Sequence, residues 1–108
     1  MSKKVQWDEV KIEDSNPITI ERVVGKRTYD LTYRDINGDT YERVVYEARA
    51  KGEGFEKDLT RKLREHLIVS IAGAPYDKPN RAKMDREMPV WMKEDIEKFL
   101  ASYILGNL

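Results

Sequence analysis

The stretch ITIERVVGKRTYDLTYRDINGDTYERVVYEARA, residues 18–50, decides the fold. Apolar and polar residues alternate along it, the period of a half-buried strand. Asn37-Gly38 is a strong hairpin signal within it, because a type I′ turn needs positive φ at both central residues. A two-residue loop there opposes Tyr33 to Glu42, Leu31 to Val44 and Tyr29 to Tyr46. Gly25-Lys26 offers a second such turn, of type II′ with Gly first, opposing Val24 to Arg27, Ile20 to Leu31 and Ile18 to Tyr33. The two turns agree on one inward face: Ile18, Ile20, Val24, Tyr29, Leu31, Tyr33, Val44, Tyr46 and Ala48. Thr19, Glu21, Asp30, Thr32, Arg34, Arg43 and Glu47 point the other way. A one-residue slip would put Leu31 and Val44 in water, so the register is well specified.

Upstream, Pro17 suits a strand start, and residues 5–12 can add an edge strand. Val5 and Trp7 differ in parity from Val10 and Ile12, which calls for a bulge near Asp8-Glu9. Downstream the period becomes 3.6. Phe55, Leu59, Leu63, Leu67 and Ile71 fall four apart, predicting a helix over residues 55–72 that stops at Gly73. Its end, LIVSIA, is apolar all round and is expected to be covered on more than one side. Residues 74–88, with Pro75 and Pro79, read as a charged loop containing a short helix capped by Asn80 through RAKMDRE. Pro89 then opens a final helix over 89–106, with Met92, Ile96, Phe99, Leu100, Tyr103 and Ile104 as its stripe. The expected architecture is one α+β domain over residues 1–108: an antiparallel meander of three or four strands in the first half, packed on one face by two helices, in the order β(β)ββαα.

At 108 residues there is room for one core. Twenty basic and twenty acidic residues cancel, so no global field attracts nucleic acid or an acidic membrane. The absence of cysteine excludes disulfides and thiolate metal sites, and a lone His66 excludes a multi-histidine zinc centre. No apolar run suits a signal peptide or a membrane span, so a cytoplasmic location is expected. His66 lacks the partners of a nucleophilic triad, Gly52-x-Gly54 is too short for a dinucleotide fingerprint, and no phosphate loop is present. No cofactor, metal or enzymatic activity is expected.

Three groups of residues remain as candidates. In the derived register Glu21 lies opposite Asp30, with Glu47 a diagonal step away. Like charges directly opposite destabilise a sheet unless compensated, and the trio loosely echoes the acidic centre of metal-dependent nucleases. Arg stands where the Lys of that arrangement belongs, and neutralisation by Arg34 and Arg43 explains the trio as a solvated face. The second group is basic: Lys57, Arg61 and Arg64 share a helix face, and Lys78, Arg81, Lys83 and Arg86 follow in the loop. Together they can track a phosphate backbone, although interleaved acids such as Asp58 and Asp85 also suit a solvated face laced with ion pairs. The third group is aromatic and apolar: Trp91, Met92 and Tyr103 on the last helix, with Trp7 near the other end of the chain. Such residues make binding hot spots when exposed and core when covered.

These features lead to the expectation of a non-enzymatic protein-binding module, a small adaptor, inhibitor or assembly component of the kind that viral or mobile elements encode. It would act through the apolar surface near the last helix or through a sheet edge, with a homodimer as one form of partner. The alternative is a nucleic-acid-binding protein using the basic group. A nuclease-like site on the outer sheet face is a distant third.

Overall fold

The Gly25-Lys26 turn joins β1 (Ile18–Val24) to β2 (Arg27–Tyr33) in the expected register, with Ile18 opposite Tyr33, Ile20 opposite Leu31 and Glu21 opposite Asp30. Gly25 has a φ of 63°, while Lys26 keeps a negative φ, the combination a II′ turn requires. The computed structural model describes residues 4, 6, 7, 17–50, 52 and 54–106, with side chains except at 55, 56 and 104–106. The edge strand expected over residues 5–12 lies, Gln6 and Trp7 apart, outside the described residues.

The second turn of the expected meander does not form. Asn37 is extended, with φ −80° and ψ 167°, and its side-chain oxygen accepts from the Thr40 N–H at 2.8 Å. That is a helix N-cap, and it starts α1 (Gly38–Arg49) where a third strand was expected. Asp39 in the first turn and Arg49 in the last complement the helix dipole. The same residues that alternate as a strand also place Tyr41, Val44, Val45 and Ala48 at i, i+3, i+4 and i+7. Tyr46 separates the two patterns, because a strand would turn it inward beside Val44. It is 75% exposed, whereas Val44 and Ala48 are buried.

The long helix expected over residues 55–72 is likewise divided. After α2 (Phe55–Leu67) the chain becomes extended at Ile68 and runs as β3 (Ile68–Ile71), then turns into the two-residue β4 (Ala74–Pro75). Most of the apolar-rich LIVSIA is therefore strand, as the β-branched Ile68, Val69 and Ile71 favour. The turn with positive φ at both central residues is Ala72-Gly73, at 51° and 82°, between the paired residues Ile71 and Ala74. The short helix α3 (Arg81–Glu87) and the final helix α4 (Val90–Gly106) match the expected bounds within a residue, but Asn80 does not cap α3 through its side chain, which donates instead to Asp77 at 2.7 Å.

The four strands form one antiparallel sheet in the order β1-β2-β3-β4, and the chain order is ββααββαα. The hairpin of α1 and α2 is inserted between β2 and β3, which pair directly with a register shift at Thr32/Tyr33. Tyr29, Leu31 and Ile71 on the inner sheet face meet Val44 of α1, Leu63 and Leu67 of α2, and Ile96, Phe99 and Leu100 of α4. Each fully buried Leu or Ile in this set contributes about 1.5–3 kcal/mol by removal from water. The outer face is polar, with Thr19 and Thr32 hydrogen-bonded at 2.8 Å across β1 and β2.

Candidate functional site

Core packing uses only one stripe of α2, the stripe of Leu63 and Leu67. A flank beside it carries Lys57, Arg61 and Arg64 at i, i+4 and i+7, the spacing that stacks side chains along a helix. On α4, Ile96 and Phe99 face the core, and the neighbouring flank carries Lys93, Glu97 and Ala101. Where these flanks meet they form an open groove of about 670 Å³, lined by Lys57, Thr60, Arg61 and Arg64 from one helix and Lys93, Glu97, Leu100 and Ala101 from the other. Its lining holds four cations against one carboxylate. Leu100, buried in the core, closes the floor.

The four cations are not equivalent. Arg61 is bonded to Asp58, one turn earlier on α2. Arg64 donates through Nε to the Tyr76 hydroxyl at 2.9 Å and lies 3.6 Å from Asp85. No carboxylate among the described residues comes within ion-pair distance of Lys57 or Lys93. The groove thus has two anchored guanidinium groups and two ammonium groups available to a ligand.

Tyr76 joins α2 to α3. Its ring is buried, its hydroxyl donates to Asp85 at 2.9 Å, and burial pushes its pKa up to about 12. The Arg81 guanidinium lies over that ring, 5.8 Å from the centroid, and donates to the Glu65 carbonyl at 3.3 Å. Of the seven basic residues singled out in the sequence, Lys57, Arg61 and Arg64 line the groove, and Arg81 packs on Tyr76. Lys78, Lys83 and Arg86 are exposed around α3 and do not line the groove.

Of the aromatic and apolar group, Trp91, Met92 and Tyr103 are drawn into the fold along α4. Trp91 meets Tyr29 edge-on with centroids 5.9 Å apart, and the Arg27 guanidinium lies 5.0 Å above it. Met92 packs against the core. Tyr103 donates to Asp35 at 2.9 Å and stacks near Tyr33 and Phe99. Trp7 is exposed.

Beside this group sits a polar network that sequence reasoning missed. Arg22, on the inner face of β1, donates through two nitrogens to both oxygens of Asp95 on α4, each at 2.9 Å, and the Tyr29 hydroxyl donates to the same carboxylate at 2.6 Å. The Arg22 hydrogen bonds hold the Asp95 carboxyl below its usual range against the opposing effect of burial. Burial, then Asp95, pushes the Tyr29 hydroxyl well above its usual value. Both oxygens of the carboxylate and the Tyr29 hydroxyl are engaged within the trio, so it serves to fasten α4 to the sheet.

The acidic trio does not assemble. Glu21 and Asp30 are opposite one another as expected, but Glu47 belongs to α1, where it accepts from Lys62 at 2.9 Å. Among the described residues no group of three or more His, Cys, Asp or Glu could hold a metal ion. No helix among them is long and apolar enough to cross a membrane. No protein-family model, curated protein or solved structure matches the chain. The site must be read from its own chemistry.

Lys93, Glu97 and Ala101 escaped the sequence reading for a definite reason. They lie off the core stripe of α4, and only the packing of α4 against α2 brings them to Lys57 and Arg61.

Proposed function

We propose that the protein is a non-enzymatic protein-binding module whose docking site is the groove between α2 and α4. The observation that carries this is the lining itself: an open groove of about 670 Å³ that sets Lys57, Arg61, Arg64 and Lys93 beside the apolar Leu100 and Ala101. Protein interfaces combine apolar contacts with a polar rim, and Lys57 and Lys93, without a carboxylate partner among the described residues, suit an acidic partner segment. Trp91, Met92 and Tyr103 support the site from behind. By bracing α4 against β2, Trp91 and Tyr103 fix the flank that carries Lys93 and Glu97.

Nucleic-acid binding is the second reading, favoured by the convergence of Lys57, Arg61, Arg64 and Lys93 on one groove. It is weakened by the engagement of Arg61, Arg64 and Arg81 within the fold, by Glu97 in the lining, and by a net charge of zero. A phosphate backbone is held by an excess of cations, and little excess remains.

Affinity capture from native lysate with and without nuclease separates the two. The protein-binding reading expects nuclease-resistant retention of a partner protein that disappears when Lys57 and Lys93 are both changed to Glu. Retention that nuclease abolishes, or that survives this double change, contradicts it.

A further inference from the structure

The sheet has one long open edge. β2 lies on one side of β1 and no described strand on the other, while the opposite edge of the sheet is the two-residue β4. A two-residue turn makes Val24 and Arg27 a hydrogen-bonded pair. Alternation then sends the backbone groups of Ile18, Ile20, Arg22 and Val24 to β2 and those of Thr19, Glu21 and Val23 to the open side. These last groups have no backbone partner among the described residues, and Gln6 and Trp7, from the expected edge strand, are exposed and lie in no strand. Edges are ordinarily blunted by Pro, Lys, a bulge or an inward charge. β1 contains no Pro or Lys and pairs with β2 without a bulge, and its inward charge, Arg22, is committed to Asp95. The remaining charge is Glu21. It faces out directly opposite Asp30, and neither carboxylate is in an ion pair among the described residues.

We infer that β1 is a second docking site, independent of the groove, which takes an extended segment of a partner protein as an added antiparallel strand with Lys or Arg opposite Glu21. The segment exchanges main-chain hydrogen bonds with Thr19, Glu21 and Val23, which only an extended chain can do. Its side chains two positions before and after the basic residue lie beside Val23 and Thr19 on the same face. β-branched residues suit these places, since Val23 is 65% exposed. Charge complementarity selects this occupant over a second copy of the chain. The self-paired register that uses all three open residues sets Glu21 against its own counterpart, beside Asp30, and like charges directly opposite destabilise a sheet. Sliding that register by one step sets either Pro17, which has no N–H, opposite Val23, or Arg22 opposite its own counterpart. A basic residue at the centre instead neutralises Glu21 and Asp30 together.

A displayed library of random peptides of about nine residues, selected on the full chain, tests this. The expected winners carry Lys or Arg with β-branched residues two positions before and after it. They bind Glu21→Lys at least about fivefold more weakly, and the same library selected on Glu21→Lys yields Asp or Glu at the central position. They also bind Val23→Pro at least about fivefold more weakly, because the ring removes an outward N–H and leaves the ladder to β2 intact. They bind Lys57→Glu/Lys93→Glu within about twofold of wild type. Thermal melts establish which variants are folded; where Val23→Pro is not, the exchange of preference on Glu21→Lys decides. Winners that lack the basic centre, or that keep their affinity for Glu21→Lys or for a folded Val23→Pro, overturn the inference and leave the groove reading in place. Winners lost on groove reversal, or no enrichment at all, overturn it too. A chain that sediments as a dimer until Val23→Pro separates it makes the second copy the occupant and likewise overturns it.

Discussion

Asp95 is the residue on which the attachment of α4 most depends. It is nearly buried and accepts three charge-assisted or short hydrogen bonds, so its removal strands the Arg22 guanidinium against the core. Asp95→Ala is expected to cost about 2–4 kcal/mol, read from urea unfolding, and Arg22→Met in the same chain should restore part of it. The pH dependence follows from the shifts. Because folding lowers the Asp95 pKa, its stabilisation is full above the unfolded value of about 4 and is lost as pH falls through the folded one. Because folding raises the Tyr29 pKa, that contribution is full below about 10 and is lost as pH climbs beyond it. The difference in stability between wild type and Asp95→Asn should therefore shrink below pH 4; parallel curves down to pH 2 would contradict the role given to Asp95. Ala72 is the converse case, a residue the fold tolerates at a cost. Its φ of 51° places an alanine in the left-handed region, at about 1–2 kcal/mol. Ala72→Asn supplies the residue a type I′ turn favours and should raise stability by about 0.5–1 kcal/mol, measured as a higher urea midpoint.

Among the elements, the β1–β2 hairpin, α3 and α4 were legible in the sequence and the middle of the chain was not. The legible parts have signals that agree. Gly25 supports a turn that the alternation on either side also demands, and Pro89 opens a helix whose apolar stripe continues for four turns. The misread parts have signals that fit two answers. Asn37-Gly38 is both a hairpin turn and an N-cap followed by a flexible first residue, and the residues after it satisfy period 2 and period 3.6 together. Tertiary packing decides, because Val44 and Ala48 must reach Leu63 and Leu67 while Tyr46 faces water. Between Leu67 and Ile68 the opposite ambiguity arises, since a short apolar run with Ser70 as its single polar residue has no period to read. Two substitutions test the assignment of α1. Asn37→Ala removes the cap and should cost about 1 kcal/mol, whereas Tyr46→Lys should change stability by less than about 0.5 kcal/mol. A loss of several kcal/mol at Tyr46 would return that side chain to the core and α1 to a strand.

Across the whole molecule, three of the eight residues that line the groove could be read in advance. Lys57, Arg61 and Arg64 share a helix face by spacing alone, and spacing is a property of the sequence. Lys93, Glu97, Leu100 and Ala101 meet them only because β3, inserted after α2, sends the chain back through β4 and α3 and lays α4 alongside. That is a consequence of topology, which the misread β3 concealed. The same topology packs the aromatic residues of α4 against the sheet and leaves the groove on the other flank of the helix. The result is a domain with zero net charge in which Lys57 and Lys93, two lysines without a carboxylate partner among the described residues, line one groove. Lysine footprinting tests that central claim most directly, by acetylating the chain alone and in complex with the partner it captures, and reading each site by mass spectrometry. Lys57 and Lys93 should lose most of their reactivity in the complex while Lys78 and Lys83 keep theirs; shielding of Lys78 and Lys83 with Lys57 and Lys93 still reactive would contradict the assignment of the groove.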